Sequence, residues 1–254
     1  MSAKNKIALV TGGSRGLGKN MAIAIAKKGI DIILTYNSNK EAADKVVAGI
    51  RALGRNAFAL QLDTTNTKQF DNFIKEVTAL LQEKTGDAHF DFLINNAGTA
   101  LYAPVADVTE EQMDRMYHIH YKGTFFLIQK FLPFINDGGG IVNISSGLTR
   151  IVIPGSSVYS SFKSAVETLT RYLAKELGGR KIRVNVIAPG AIETDFGGGH
   201  IRDNKAINNQ IAGITALGRV GLPEDIGGVV AFLCTEEAYW ITGQRIEVSG
   251  GQSL

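Results

Sequence analysis

Thr11-Gly12-Gly13-Ser14-Arg15-Gly16-Leu17-Gly18 follows an apolar run, Ile7–Val10, and opens a segment of helical period that reaches Lys28. A strand passing into a helix through a glycine-rich turn is the first unit of an alternating α/β chain. Gly12, Gly16 and Gly18 allow a tight turn, a close backbone approach to a pyrophosphate and close packing of helix on strand. Ser14 and Leu17 complete the turn, and the helix start behind it offers unpaired N–H groups and a dipole that favours phosphate. A turn of purely structural purpose is the plain alternative, weakened by the position directly after the first strand.

The alternation continues to the end of the chain. Candidate strands fall at 6–11, 30–36, 57–62, 92–95, 140–144, 183–187 and 245–248, and candidate helices at 17–28, 40–53, 67–83, 109–134, 158–177 and 224–233. This order predicts a parallel sheet with helices on both faces. A chain of 254 residues, 44% hydrophobic and without composition shift or internal repeat, suits one domain spanning 1–254. The stretch 196–219 interrupts the pattern: Phe196-Gly197-Gly198-Gly199-His200 opens a polar section of weak period, expected to be a loop or small helical flap over a substrate.

Met1-Ser2-Ala3-Lys4-Asn5-Lys6 runs straight into the first apolar run without a leader pattern, and no apolar run is long enough to span a bilayer. The one cysteine, Cys234, cannot form an internal disulfide and is expected to fill core space, which makes a cytoplasmic setting the expectation. The net charge of +3 is dispersed among acids, so neither nucleic acid nor a membrane is expected as a partner. His118 and His120 project to different faces of a helix, and His89 and His200 lack nearby Cys or paired acids, so no metal is expected. Asp107 and Thr109 fit a turn and a helix cap.

Tyr159 and Lys163 lie four residues apart in Y-S-S-F-K and so share one helix face. A free phenol has a pKa of about 10. At ~5 Å and an effective dielectric of ~20, an ammonium would supply roughly 3 kcal/mol, lowering it by about two units. That would bring Tyr159 towards the range of a general acid working near neutrality. At the other end of the site, the second strand closes on Tyr36, Asn37 and Ser38 with no acid to hold ribose hydroxyls, and Arg15 is expected to pair with a 2′-phosphate, a solvated loop charge being the alternative. These two features predict NADP(H) over NAD(H).

With these residues in hand the chain resembles the short-chain dehydrogenase/reductase family, in its compact single-domain branch. The likeness covers nearly the whole chain. It rests on the T-G-x-x-x-G-x-G turn, on Asn95-Asn96-Ala97-Gly98, on I-V-N-I-Ser145-Ser146 and on Tyr159-x-x-x-Lys163. It continues through Asn185-x-Ile187-Ala188-Pro189-Gly190 with Thr194 following, Tyr239-Trp240-Ile241-Thr242-Gly243-Gln244 and Gly250-Gly251. The resemblance implies a Rossmann-type doubly wound parallel sheet of about seven strands. It makes Tyr159 the general acid/base, Lys163 a ligand of the nicotinamide ribose that lowers the phenol pKa, and Ser146 the group that polarises the substrate oxygen, with Ser145 structural. Asp63, with Thr64, matches the acid at the adenine. Asn95, Ala97 and Gly98 would wall the adenosine ribose, and Pro189, Gly190, Ile192 and Thr194 would lie near the carboxamide.

One position departs from the family pattern. Where members carry Asn in N-x-x-G-x-F, helping to hold a relay water, this chain has His120-Tyr121-Lys122-Gly123-Thr124-Phe125. An imidazole also donates and accepts, so His120 is expected in the relay with a new pH dependence; a histidine without catalytic part is the alternative. L-G-R-V-G-L-P-E-D at 217–225 and the Gly-Gly ending are similar to 3-oxoacyl carrier-protein reductases. The uncharged-to-acidic stretch Asn136-Asp137-Gly138-Gly139-Gly140 disfavours a carrier protein as partner. The expected substrate is a medium-sized, mostly uncharged small-molecule carbonyl or alcohol, and the resemblance implies a homotetramer. A non-catalytic NADP-binding sensor is the rival reading, opposed by the retention of Ser146, Tyr159 and Lys163.

Overall fold

The first strand, β1 (Ile7–Val10), is apolar at every position and buried at every position, the pattern of a strand covered on both faces of a parallel sheet. The computed structural model describes residues 5–254; residues 1–4, read above for a leader, lie outside them. Around β1 are laid β2 (Asp31–Tyr36), β3 (Ala57–Gln61), β4 (Phe90–Asn95), β5 (Ile135–Ile144), β6 (Arg183–Pro189) and β7 (Arg245–Val248). Their order across the sheet is β3-β2-β1-β4-β5-β6-β7, with every pairing parallel. The winding reverses between β1 and β4, where a doubly wound sheet leaves a crevice at its carboxyl edge. Register aligns the ends: Val10 pairs with Leu34 and Ile94, Asn95 with Asn143, and Ile144 with Ile187. The four motif-bearing turns therefore emerge along one edge.

One face is covered by α1 (Gly16–Lys27), α2 (Lys40–Ala52) and α9 (Pro223–Leu233), which bury Met21, Ile25, Val46, Ile50, Ile226 and Val230. Cys234 belongs to the same cluster, and burial pushes its thiol up to about 12. The opposite face is covered by α3 (Phe70–Thr85), α5 (Gly123–Phe131) and α6 (Ser157–Glu176). Phe131 lies edge-on to Phe90 at 5.2 Å and to Phe73 at 6.0 Å, a geometry that adds about 0.5–1.5 kcal/mol per pair beyond area burial.

Two expected elements differ. The helix read over 109–134 is divided: α4 (Glu110–Tyr117), capped by a Thr109–Gln112 capping box, passes through a π-helical turn, His118–Lys122, before α5 begins. The backbone at Tyr117, His118, Lys122 and Gly123 stays in the right-handed helical region, so no cap or proline marks the π turn in the sequence. Strand β5 starts at Ile135, earlier than the apolar run, because Ile135 pairs with Phe90 across a bulge before the glycines of 138–140. The interrupted stretch forms a tight turn, Phe196–Gly199, and two short helices, α7 (His200–Asp203) and α8 (Lys205–Gly213), the second capped by Asn204. Among the described residues no helix is long and apolar enough to cross a membrane.

Candidate active site

The crevice is a cleft of about 720 Å³ running from the glycine turn to the 196–213 flap. At its inner end the chain is held by backbone and short side chains. Thr11 Oγ1 donates to Ile94 O and accepts from the N–H groups of Asn96 and Ala97. Gly12 N–H donates to Thr35 Oγ1. Gly12 has φ +65°, and a Cβ on Gly18 would fall 2.2 Å from Gly12 O, so helix and strand approach as only glycine allows. Helix α1 has no side-chain cap and no acid in its first turn among the described residues, so its N–H groups face the cleft unspent. A shallow glycine cradle with free donors at a helix start fits a dinucleotide diphosphate.

At the other end Tyr159 and Lys163 rise from one face of α6, both buried. Ser146, at the end of β5, accepts from Leu148 N–H at 3.2 Å and turns its own hydroxyl to the Tyr159 phenol. Lys163 does not act on the phenol as its spacing led us to expect. Its Nζ donates to Ile144 O at 2.7 Å and stands 5.6 Å from the centre of the Tyr159 ring. Burial pushes the phenol well above its ordinary value, opposed by the Ser146 hydrogen bond, and pushes Lys163 down to about 8. Burial dominates at both groups, so Tyr159 is held protonated at neutral pH.

His120 is carried into this group by the π turn. Its ring stands edge-on to Tyr159 at 5.1 Å. Nε2 lies 2.7 Å from Thr99 O, which can only accept, so Nε2 carries the proton and Nδ1 holds a lone pair. That Nδ1 is buried with no partner among the described residues. Burial and the Lys163 charge hold the imidazole well below its ordinary pKa. A ring this dry stays neutral.

The structure brings most of the expected residues to the cleft wall: Gly12, Ser14, Arg15, Gly16, Leu17 and Gly18 from the turn, then Asn37, Asp63, Thr64, Ala97 and Gly98. Pro189, Gly190, Ile192 and Thr194 follow at the end of β6. Three others stand elsewhere. Asn95 turns inward, its Nδ2 donating to Asn143 Oδ1, and the neighbouring Asn96 takes the wall, donating to Thr11 O. Tyr36 is buried at the end of β2, and Ser38 is exposed. Asp63 receives the N–H and hydroxyl of Thr65, and Ser145 donates to Glu167. Arg15 is paired, its Nη1 donating to Asp195 Oδ2.

A family model described as enoyl-(acyl carrier protein) reductase matches residues 12–253. The promiscuous reductase LugOII, which catalyses keto-reduction at C1 during lugdunomycin biosynthesis, is 40% identical over the whole of both chains, with a TM-score of 0.93. The landomycin C-6 ketoreductase LanV, solved with bound NADP and rabelomycin, is 35% identical, with coverage of 98% of this chain and 96% of that one and a TM-score of 0.89. The hydroxynaphthalene reductase-like protein Arp2 of Metarhizium brunneum is 38% identical over 262 residues, covering 98% of this chain and 96% of its own.

The chain is a short-chain dehydrogenase/reductase.

The cleft of this oxidoreductase family member also holds residues outside its motifs. Thr35, Tyr102, Phe196 and Gln252 line the cavity, and Gln252 Oε1 accepts from Ala191 N–H at 2.8 Å. Phe196 opens the stretch expected to cover a substrate. Thr35 lies in the run read as the second strand, whose six residues are all buried, so no alternation marks which of them meets the cleft. Gln252 comes from an irregular segment, where nothing in the sequence marks its side chain as facing inward. Among the described residues no cluster of His, Cys, Asp or Glu is arranged to hold a metal.

Proposed function

We propose that this reductase uses NADPH to reduce a ketone on a flat, fused-ring, mostly uncharged substrate. The observation that carries the proposal is the Ser146–Tyr159–Lys163 group on the cleft wall, with Tyr159 and Lys163 buried and the phenol held protonated. Leu148, Ile151, Ile153, Phe196, Ile207 and Ile211 offer dispersion contact at the substrate end. The relatives whose names mention naphthalene, rabelomycin and landomycin support a polycyclic substrate, and the NADP in LanV supports the cofactor.

When bound, NADPH supplies the hydride that adds to the carbonyl carbon. Tyr159 gives its proton to the carbonyl oxygen as negative charge develops there, and Ser146 donates a hydrogen bond to the same oxygen. Lys163 holds the nicotinamide ribose and, when protonated, returns a proton towards the phenolate. His120 Nδ1 offers a buried acceptor beside Tyr159 for a relay water. Gly12, Ser14, Gly16, Leu17 and Gly18 would hold the diphosphate, Arg15 and Asn37 the 2′-phosphate end, Asp63 and Thr64 the adenine, Ala97 and Gly98 the adenosine ribose, and Pro189, Gly190, Ile192 and Thr194 the carboxamide. Tyr36, Ser38 and Asn95 would support these walls from behind.

A homotetramer fits the apolar face of α5 and α6 at Tyr121, Phe125 and Tyr172 and the exposed Trp240 and Leu254 beside the β7 edge. The test is NADPH oxidation, with NADH in parallel, against monocyclic and fused-ring ketones, 3-oxo esters and acyl thioesters. Turnover of fused-ring ketones with NADPH, abolished by Tyr159→Phe, is the expected result. NADPH binding without turnover on any ketone would overturn it.

A further inference from the structure

The Arg15–Asp195 pair joins the two ends of the cleft. Arg15 precedes α1 in the glycine turn, and its Nη1 donates to Asp195 Oδ2 at 2.5 Å. Asp195 precedes the Phe196–Gly199 turn, yet its carboxylate faces Arg15 and not the N–H groups of that turn. The acid also lies over the cradle: its Oδ1 is 3.5 Å from where a Cβ on Gly16 would stand. On its other side the chain leads straight to the catalytic group. The Phe196 ring is 6.1 Å from that of Tyr159, and a Cβ on Gly197 would stand 3.2 Å from Tyr102 Cε2. One carboxylate therefore ties the phosphate turn to the segment that covers the substrate end.

We infer that Asp195 is an internal competitor for Arg15, setting the preference between NADP(H) and NAD(H) and coupling the 2′-phosphate to the 196–213 flap. This rests on the NADP(H) reading of Arg15. Arg15 is one guanidinium with two claimants. A 2′-phosphate carries more charge and more acceptor oxygens than a carboxylate, and the pair it must displace is exposed at 72% and 37% and therefore weak. When Arg15 turns to the phosphate, Asp195 loses its hydrogen-bonded partner, with the charge of Arg202 still nearby, and the anchor of Phe196 is released. NADH, lacking that phosphate, leaves the tie in place. Asp195 thus acts as a positioning residue, and its carboxylate lowers the yield of every Arg15–phosphate contact.

The experiment measures binding of adenosine 2′,5′-bisphosphate and adenosine 5′-monophosphate by calorimetry, together with deuterium uptake over the flap. The proteins are the wild type, Asp195→Asn, Asp195→Ala, Arg15→Ala and the Arg15→Ala/Asp195→Asn double variant. Both Asp195 variants are expected to raise the preference for the bisphosphate about threefold, the scale of an exposed ion pair. In the Arg15→Ala background the Asp195 change should leave the preference unaltered. Bisphosphate should raise exchange in residues 196–213 of the wild type, where the monophosphate does not, and Asp195→Asn should show the raised exchange without ligand. An unchanged preference in both Asp195 variants, with Arg15→Ala still lowering it, overturns the competition while the NADP(H) reading stands. If Arg15→Ala leaves the preference intact, that reading itself fails and the inference with it. Flap exchange indifferent to bisphosphate overturns the coupling.

Discussion

The two ends of the cleft are built from different materials. At the glycine turn the walls are main chain: Gly13 N–H reaches Thr35 O at 2.8 Å, and Asn96 and Ala97 N–H groups converge on Thr11 Oγ1. At the flap the walls are side chains on short elements, hinged on three successive glycines, Gly197, Gly198 and Gly199, with φ of 63°, 83° and 78°. A backbone wall is tied to strands and a helix start, so its geometry leaves few residue choices. A side-chain wall accepts any apolar group of suitable volume and can be recut without disturbing the sheet.

Four substitutions and one pH profile test that contrast. The largest effect is expected from Tyr159→Phe, which should lower kcat by about 10²–10⁴-fold and leave NADPH affinity unchanged in a fluorescence titration. Gly18→Ala comes next. Its Cβ meets Gly12 O at 2.2 Å, and overpacking of about 1–3 kcal/mol should weaken NADPH binding and lower Tm together. An unaltered Tm would show the phosphate end to be as yielding as the flap.

The pH profile tests the buried group itself. Lys163 is protonated below about 8 and neutral above it. If its charge serves the reduction, kcat/KM should be level below that pH and fall as pH rises through it, towards tenfold per unit. The Tyr159 phenol, raised by burial, stays protonated across the same range. His120, held well below its ordinary pKa, should add no inflection near 6.5, and His120→Asn should leave the acid side of the profile unchanged. A fall that begins only above pH 10 would show Lys163 to be far better solvated than its burial implies. The smallest effect is expected from Phe196→Ala. The side chain is half exposed, and losing its contact should raise KM for a fused-ring ketone by no more than about tenfold, with Tm and NADPH affinity unmoved.

The sheet was legible in the sequence because parallel strands buried on both faces are written as short apolar runs separated by helical periods. All seven proposed runs are strands, with ends displaced by a few residues. The displacements have separate causes. Gly138–Gly140 hid the start of β5 because glycine carries no strand signal, and the π turn keeps helical backbone at both ends with no proline or cap to mark it. The site was legible in its spacing: Tyr159 and Lys163 on one face, Ser146 at a strand end. Its electrostatics were not, because the direction of a pKa shift depends on how much water remains around the group. Reasoned from a pair of charges, Lys163 lowers Tyr159; reasoned from the packed site, burial raises it.

From residue order and spacing came the seven strands, the family, the glycine cradle and the shared helix face of Tyr159 and Lys163. These are local properties, carried by residue type and period over a few positions. Only the tertiary structure decided that Asn96 and not Asn95 faces the cleft, that His120 is dry and neutral, that Lys163 answers to Ile144 O and that Arg15 is claimed by Asp195. Each of these depends on a partner 15 or more positions away along the chain, and such a partner leaves no periodic trace in the segment it meets.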